Sequence, residues 1–260
     1  MTTARSFANS VRGRFLVPVL AGLSVGLTGC DTTGPSLSSV PATVAPYAAV
    51  LAVAPFSNES GVSIDAADRL AISDKLVSGI NQTIGPDGSM EGGWRAVPVD
   101  RTLAAMQQLG LESIRTEAEA FAVMETIPVD GIILGSITDW SPYDPPSFGA
   151  NLLLFGRGDR LEAAFDAKRL YGSTGDASNP GSGPREASAV LDLVVELDAV
   201  NHSVRQAVRT YAESHSDITG GFDPPERYYL MVFDRYLDFV ADWAVGGLVS
   251  RERYRARTEG

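Results

Sequence analysis

From Tyr47 onward the chain alternates strand-length apolar runs with segments of helical period, and that alternation confines it to an α/β sheet covered by helices on both sides. Ala48 to Phe56 is a near-continuous apolar run, as expected of a strand buried on both faces, and Ser57 to Gly61 follows as a polar turn. Ile64 to Gln82 repeats Leu70, Ile72, Leu76, Val77 and Ile80 at helical spacing, with Asp65 and Asp68 in the first turn where the helix dipole favours them. A loop over Gly85 to Gly93 precedes a short strand, Trp94 to Val99. Asp100 is expected to cap a helix through Leu109 that Gly110 terminates. A helix over Thr116 to Thr126 leads into Val129 to Trp140, the clearest strand in the chain. Further strands are expected at Asn151 to Phe155 and Val190 to Leu197, and a helix at Asn201 to Ser214. Residues 159–171 read either as a helix or as an irregular edge segment, and 172–188 as a mobile loop by composition.

Pro224 and Pro225 open a long final helix running to about Arg251. Its apolar content invites a membrane-spanning reading, but Asp234, Arg235, Asp238 and Asp242 oppose it, since a charge at the bilayer centre costs about 2.5–3.5 kcal/mol even on the lenient insertion scale. Asp234, Asp238 and Asp242 form one wet stripe, and Leu230, Phe233, Leu237, Val240 and Ala244 a dry one, which describes an amphipathic core helix.

Residues 1–29 stand apart from this pattern. Arg5, Arg12 and Arg14 precede a short apolar run from Phe15 to Gly26, too short to span a bilayer but suited to a signal peptide. Leu27-Thr-Gly-Cys30 then resembles the bacterial lipobox, in which the cysteine is acylated and becomes the new amino terminus. Cys30 is the only cysteine. Residues 30–46, rich in Ser, Thr and Pro, read as a lipidated cysteine and flexible linker ahead of a domain spanning 47–260. Asp31 resembles the inner-membrane retention signal of enteric bacteria, which leaves the choice of membrane open. Cleavage removes three positive charges and no negative ones, moving the net charge from −11 to −14. An acidic body on such a tether is expected to stand off from anionic lipid.

Composition narrows the chemistry. With 21 basic against 32 acidic residues the chain is a poor nucleic-acid ligand. Two histidines, His202 and His215, and one cysteine exclude a His/Cys zinc site, and no metal or other cofactor beyond the covalent lipid on Cys30 is expected. His202 reads as an exposed or capping residue, His215 lacks a second histidine at ligand spacing, and Asp192 with Glu196 suits a solvated strand face. Two segments suit recognition. One is the proline-stiffened turn bearing Trp140, Tyr143 and Phe148, whose rings offer large contact area or else cover the end of the sheet. The other is the arginine tail Arg251, Arg253 and Arg255, which either complements the end of the helix or forms a basic patch for an acidic polymer, a lipid headgroup or a neighbouring subunit.

With a lipobox and linker ahead of it, Val53-Ala-Pro55-Phe56-Ser-Asn58-Glu-Ser-Gly61 resembles the opening motif of a bacterial lipoprotein superfamily that includes CsgG, PelC and LpoB, with the TolB amino-terminal domain similar in fold. Asp130-Gly-Ile-Ile-Leu-Gly135-Ser136-Ile-Thr138 resembles a later strand of the same superfamily. The resemblance covers roughly Ala48 to Leu154 and weakens beyond. It implies a single mixed sheet flanked by helices, no catalytic residues to carry over, and for some relatives a homo-oligomeric ring. The long alternating apolar insertions of a CsgG-like pore are missing, so the expected role is PelC-like or LpoB-like: a membrane-anchored, periplasm-facing, non-catalytic accessory that binds an envelope protein or polymer. An envelope hydrolase with an unrecognised serine or carboxylate site is the alternative, and a structural lipoprotein without a specific ligand is a third reading.

Overall fold

The computed structural model describes residues 43–157, 189–215 and 224–258. Cys30, most of the expected linker and the segments 159–171 and 172–188 lie outside the described residues. Six strands form one mixed sheet: β1 (Ala49–Val53), β2 (Ser57–Asn58), β3 (Trp94–Ala96), β4 (Gly131–Ser141), β5 (Ser147–Gly156) and β6 (Ala189–Asp198). Their order is β3-β1-β4-β5-β6, with β2 also paired to β4. β1 runs parallel to both β3 and β4, and β4, β5 and β6 are antiparallel. The helices are α1 (Ala66–Asn81), α2 (Val99–Gln108), α3 (Glu117–Thr126), α4 (His202–Ser214), α5 (Glu226–Met231) and α6 (Phe233–Thr258).

Helices cover both faces, as the alternation requires. On one face, α1, α4 and α6 bury Leu51, Val53, Ile133, Leu152, Leu154, Leu193 and Val195. On the other, α2 and α3 bury Ala52, Ala54, Ile132 and Phe155. β1 and β4 therefore lie between two apolar layers, which is why their sequences read as continuous apolar runs. That second cover does not reach β6, where Asp192, Val194 and Glu196 are exposed and alternate with buried Leu193, Val195 and Leu197. Gly247 lets α6 approach this strand, since a Cβ there would meet Leu193 Cδ2 at 3.0 Å.

Several expectations are corrected. Ser57 and Asn58 are not a turn but β2, in line with β1 along β4. The interruption falls at Pro55, which has no N–H for the ladder, and Phe56 donates its N–H to Ser73 Oγ instead. The turn comes one step later: Asn58 Oδ1 accepts from Ser60 N–H, and Gly61 takes φ +77°. Asp100 is not the cap of α2. The helix starts at Val99 after Pro98, and Asp100 lies in its first turn, where the dipole still favours it. α3 has a complete capping box, with Glu119 N–H donating to Thr116 Oγ1 and Thr116 N–H to Glu119 Oε2.

The final helix is two helices. Val232 leaves helical geometry between α5 and α6, and α6 then continues past Arg251 to Thr258. A one-residue break with the same apolar period on either side leaves no trace in the sequence. The stripe of Asp234, Asp238 and Asp242 is not simply wet: Lys75 Nζ on α1 lies 3.0 Å from Asp234 and 2.5 Å from Asp238, and His215 Nε2 lies 3.7 Å from Asp242. No helix among the described residues is long and apolar enough to cross a membrane.

Candidate functional site

The sheet has two ends, and α6 connects them. At the near end, where the described chain begins, Ala45 N–H donates to the Ile84 carbonyl and Ile84 N–H to that of Thr43, so the last residues of the expected linker are held against the fold. Arg253 donates to the Val44 carbonyl. Tyr47 donates its hydroxyl to Glu252, which is fully buried and ion-paired with the buried Arg255. Burial, followed by the adjacent Glu252 carboxylate, pushes the Tyr47 hydroxyl well above its ordinary pKa, and the bonds to Glu252 hold the Arg255 guanidinium above its own. Arg251 donates to the Asp192 carbonyl on β6 and lies 3.6 Å from its carboxylate. The three arginines expected as a basic patch thus all make contacts within the fold, and Arg255 is withdrawn from the surface.

At the far end, the β4–β5 hairpin carries the aromatic turn. Phe148 is 2% exposed and belongs to the core. Trp140 is half-buried, packed edge-to-face on Phe148 at 6.2 Å and on Phe233, the first residue of α6, at 4.7 Å. Tyr143 alone stands out, 78% exposed. Around it the same end exposes Val200, just past β6 where Ala199 N–H bonds the Pro146 carbonyl, and Met231 and Val232 at the α5–α6 break. Phe148 and Trp140 thus cover the sheet, and of the three rings only Tyr143 is left at the surface, among other exposed apolar side chains of that end. Met231, Val232 and Val200 gave no sequence signal, because a break in a helix and a strand–helix corner are what leave them exposed.

One grouping has the composition of a hydrolase site. Ser214 Oγ lies 3.0 Å from His215 Nδ1, and His215 Nε2 faces Asp242. The hydrogen bonding opposes that role. Nδ1 also lies 2.9 Å from the Tyr211 carbonyl oxygen, which can only accept, so Nδ1 carries the proton and cannot take one from Ser214. The Ser214 hydroxyl itself donates to the same carbonyl at 2.8 Å. The imidazole stacks on the Tyr211 ring at 4.0 Å, and burial raises the pKa of Asp242, with His215 pulling it the other way. His202 is exposed at the start of α4, which Asn201 caps through Ser203 N–H. The space between α1, α6 and the sheet is lined only by apolar side chains, among them Phe56, Phe148, Leu152 and Val240. Among the described residues, no three His, Cys, Asp or Glu side chains converge as metal ligands.

No family model matches the chain, and no curated protein matches it either. Solved structures similar to it include the LpoB C-terminal domain from Escherichia coli, at 19% identity over 42% of this chain and 71% of that one, with a TM-score of 0.30. Lipoprotein GNA1162 from Neisseria meningitidis is similar at 17% identity over 42% and 72%, with a TM-score of 0.29. The PelC dodecamer from Paraburkholderia phytofirmans is similar at 13% identity over 48% and 67%, with a TM-score of 0.23. Two of these, LpoB and PelC, are proteins of the superfamily that the Val53 to Gly61 motif resembles. Likeness at this level assigns neither a family nor a function.

Proposed function

We propose that the chain is a lipid-anchored, periplasm-facing envelope lipoprotein that acts without catalysis, docking a partner protein or polymer as an accessory or scaffold in envelope assembly or export. The observation that carries this reading is the opposition of two ends. The chain that leads back to Cys30 enters beside the last turns of α6, and the exposed patch of Tyr143, Val200, Met231 and Val232 gathers at the first turn. A helix of 26 residues separates them, about 39 Å at 1.5 Å per residue. A tethered body with its apolar patch at the remote end presents that patch away from the lipid. The lipobox spacing at Cys30 and the motif resemblance to LpoB and PelC support the anchored, accessory character; a ring of copies is the PelC-like version of the same reading.

The test has two parts. Cys30→Ser should move the chain out of the membrane fraction and abolish acyl mass on the mature amino terminus; unchanged fractionation removes the anchor. A photo-crosslinking residue in place of Tyr143 should capture a discrete envelope partner in cells, whereas one in place of the exposed Met90, in the loop after Ile84 at the opposite end, should not. Equal capture at both positions, or none at Tyr143, removes the docking end. The mass of the anchored chain in detergent then separates a ring from a monomeric activator.

A further inference from the structure

Charge is distributed unevenly along α6. Its first three turns carry Asp234, Asp238 and Asp242 against Arg235, and its last two carry Arg251, Arg253, Arg255 and Arg257 against Glu252. Glu252, the one acid in that second stretch, is buried with Arg255 and neutralised by it, so the pair adds no net charge to the surface. What remains at the tip is Arg253, half-buried, with Arg257 exposed and Tyr254 70% exposed, and with Glu259 following two residues beyond Arg257 in the sequence. The tip lies where the leading chain enters, because Arg253 holds the Val44 carbonyl. A protein of net charge −11 thus keeps a cationic, aromatic corner at its point of attachment.

From this we infer that Arg253, Tyr254 and Arg257 rest on the headgroups of anionic phospholipid when the chain is anchored. The orientation rests on the tethering described under Proposed function. Between Cys30 and Thr43 there are only twelve residues, which even fully extended reach about 45 Å, so the corner stays within tether range of the lipid that holds the acyl chains. Arginines are drawn to an anionic leaflet within about one Debye length, ~8–10 Å, and a tyrosine ring suits the headgroup layer. Among the acids at the same end are Asp87, Glu91 and Asp130, with Asp192 paired to Arg251. Asp87 is engaged by the N–H and hydroxyl of Ser89, and Asp130 by Val50 N–H, while Glu91 stays exposed. The contact is therefore the corner and not the whole end. The acidic turns of α6 begin about 16 Å further along the helix, beyond the screened field of the leaflet, so the pull acts on the basic turns alone. Net charge alone argued for standing off; its distribution along α6 replaces that with standing on one point.

The experiment uses the acylated full chain reconstituted into vesicles of phosphatidylcholine alone or mixed with phosphatidylglycerol. With Cys30 acylated, Thr258→Cys supplies a unique thiol for a spin label beside the corner, and Tyr143→Cys one at the far end. Collision of the label at 258 with a water-soluble relaxation agent should fall about threefold on adding phosphatidylglycerol and recover at high salt, while the label at 143 stays unchanged. Adding Arg257→Glu and Tyr254→Ser, with an unchanged thermal midpoint, should abolish the effect. Failure of the chain to float with vesicles overturns the tether and this orientation with it. Flotation without phosphatidylglycerol-dependent protection at 258 overturns the corner alone, as does equal protection at 143, which would mean that the body lies flat.

Discussion

Gly135 on β4 faces the ring of Phe56, and a Cβ at that position would sit 2.5 Å from the nearest ring carbon. Phe56 is buried just past the end of β1, so its ring has no room to retreat. The Pro-Phe at the end of the first strand and the glycine of the later strand are two halves of one contact. Gly135→Ala should destabilise the domain by about 1–3 kcal/mol, read as a shift in the urea midpoint, and Phe56→Leu in the same chain should return part of the loss. Simple addition of the two costs would show that the residues do not share the space.

Glu252 and Arg255 form a buried ion pair with Tyr47 bonded to it. Glu252→Ala strands the guanidinium, and a loss of about 3–5 kcal/mol is expected in chemical unfolding. Glu252→Leu combined with Arg255→Met should cost much less, because no unpaired charge is then left inside. A double variant as unstable as the single one would show that the pair positions the chain at Tyr47 by more than its charge.

Asp242 has its pKa raised, first by burial, while His215 and the Tyr211 hydroxyl lower it and Asp238 raises it further. A carboxyl whose folded pKa is raised contributes stability that is present below the unfolded value and lost as pH rises through the folded value. Asp242→Asn should therefore be more stable than the parent at neutral pH, with the advantage shrinking as pH falls into the carboxylate range. Thermal midpoints across that range decide it; a constant difference would assign the effect to packing.

Tyr143 and Phe148 occupy one turn and should behave oppositely. Tyr143→Ala should leave stability within about 0.5 kcal/mol of the parent and abolish partner capture, whereas Phe148→Ala should cost about 3–5 kcal/mol as a core truncation. Loss of stability in Tyr143→Ala would return that ring to the fold.

The strands were readable because burial on two faces writes an unbroken apolar run, as at β1, and burial on one face writes strict alternation, as at β6. β2 was not, since Ser57 and Asn58 are polar and exposed and are held to β4 by backbone pairing and by the Ser57 hydroxyl on the Gly135 carbonyl. The aspartates of α6 were taken for a solvated stripe because their partner, Lys75, is 163 residues from Asp238 in the chain. Arg251 and Arg253 bond main-chain carbonyls, which have no sequence signature, but Glu252 lies three residues before Arg255 and that pair was open to reading. Phe148 could also have been found: with the strand begun at Ser147, its parity with Ala150 and Leu152 turns it inward.

The bonds from Arg253 to Val44 and from Tyr47 to Glu252 have a mechanical consequence. A pull on the chain ahead of Thr43 is shared between the Ile84 backbone and the carboxy-terminal turns of α6, whose opposite end is braced by Phe233 against Trp140. Tension thus reaches the longest helix among the described residues before it can peel β1 from the sheet.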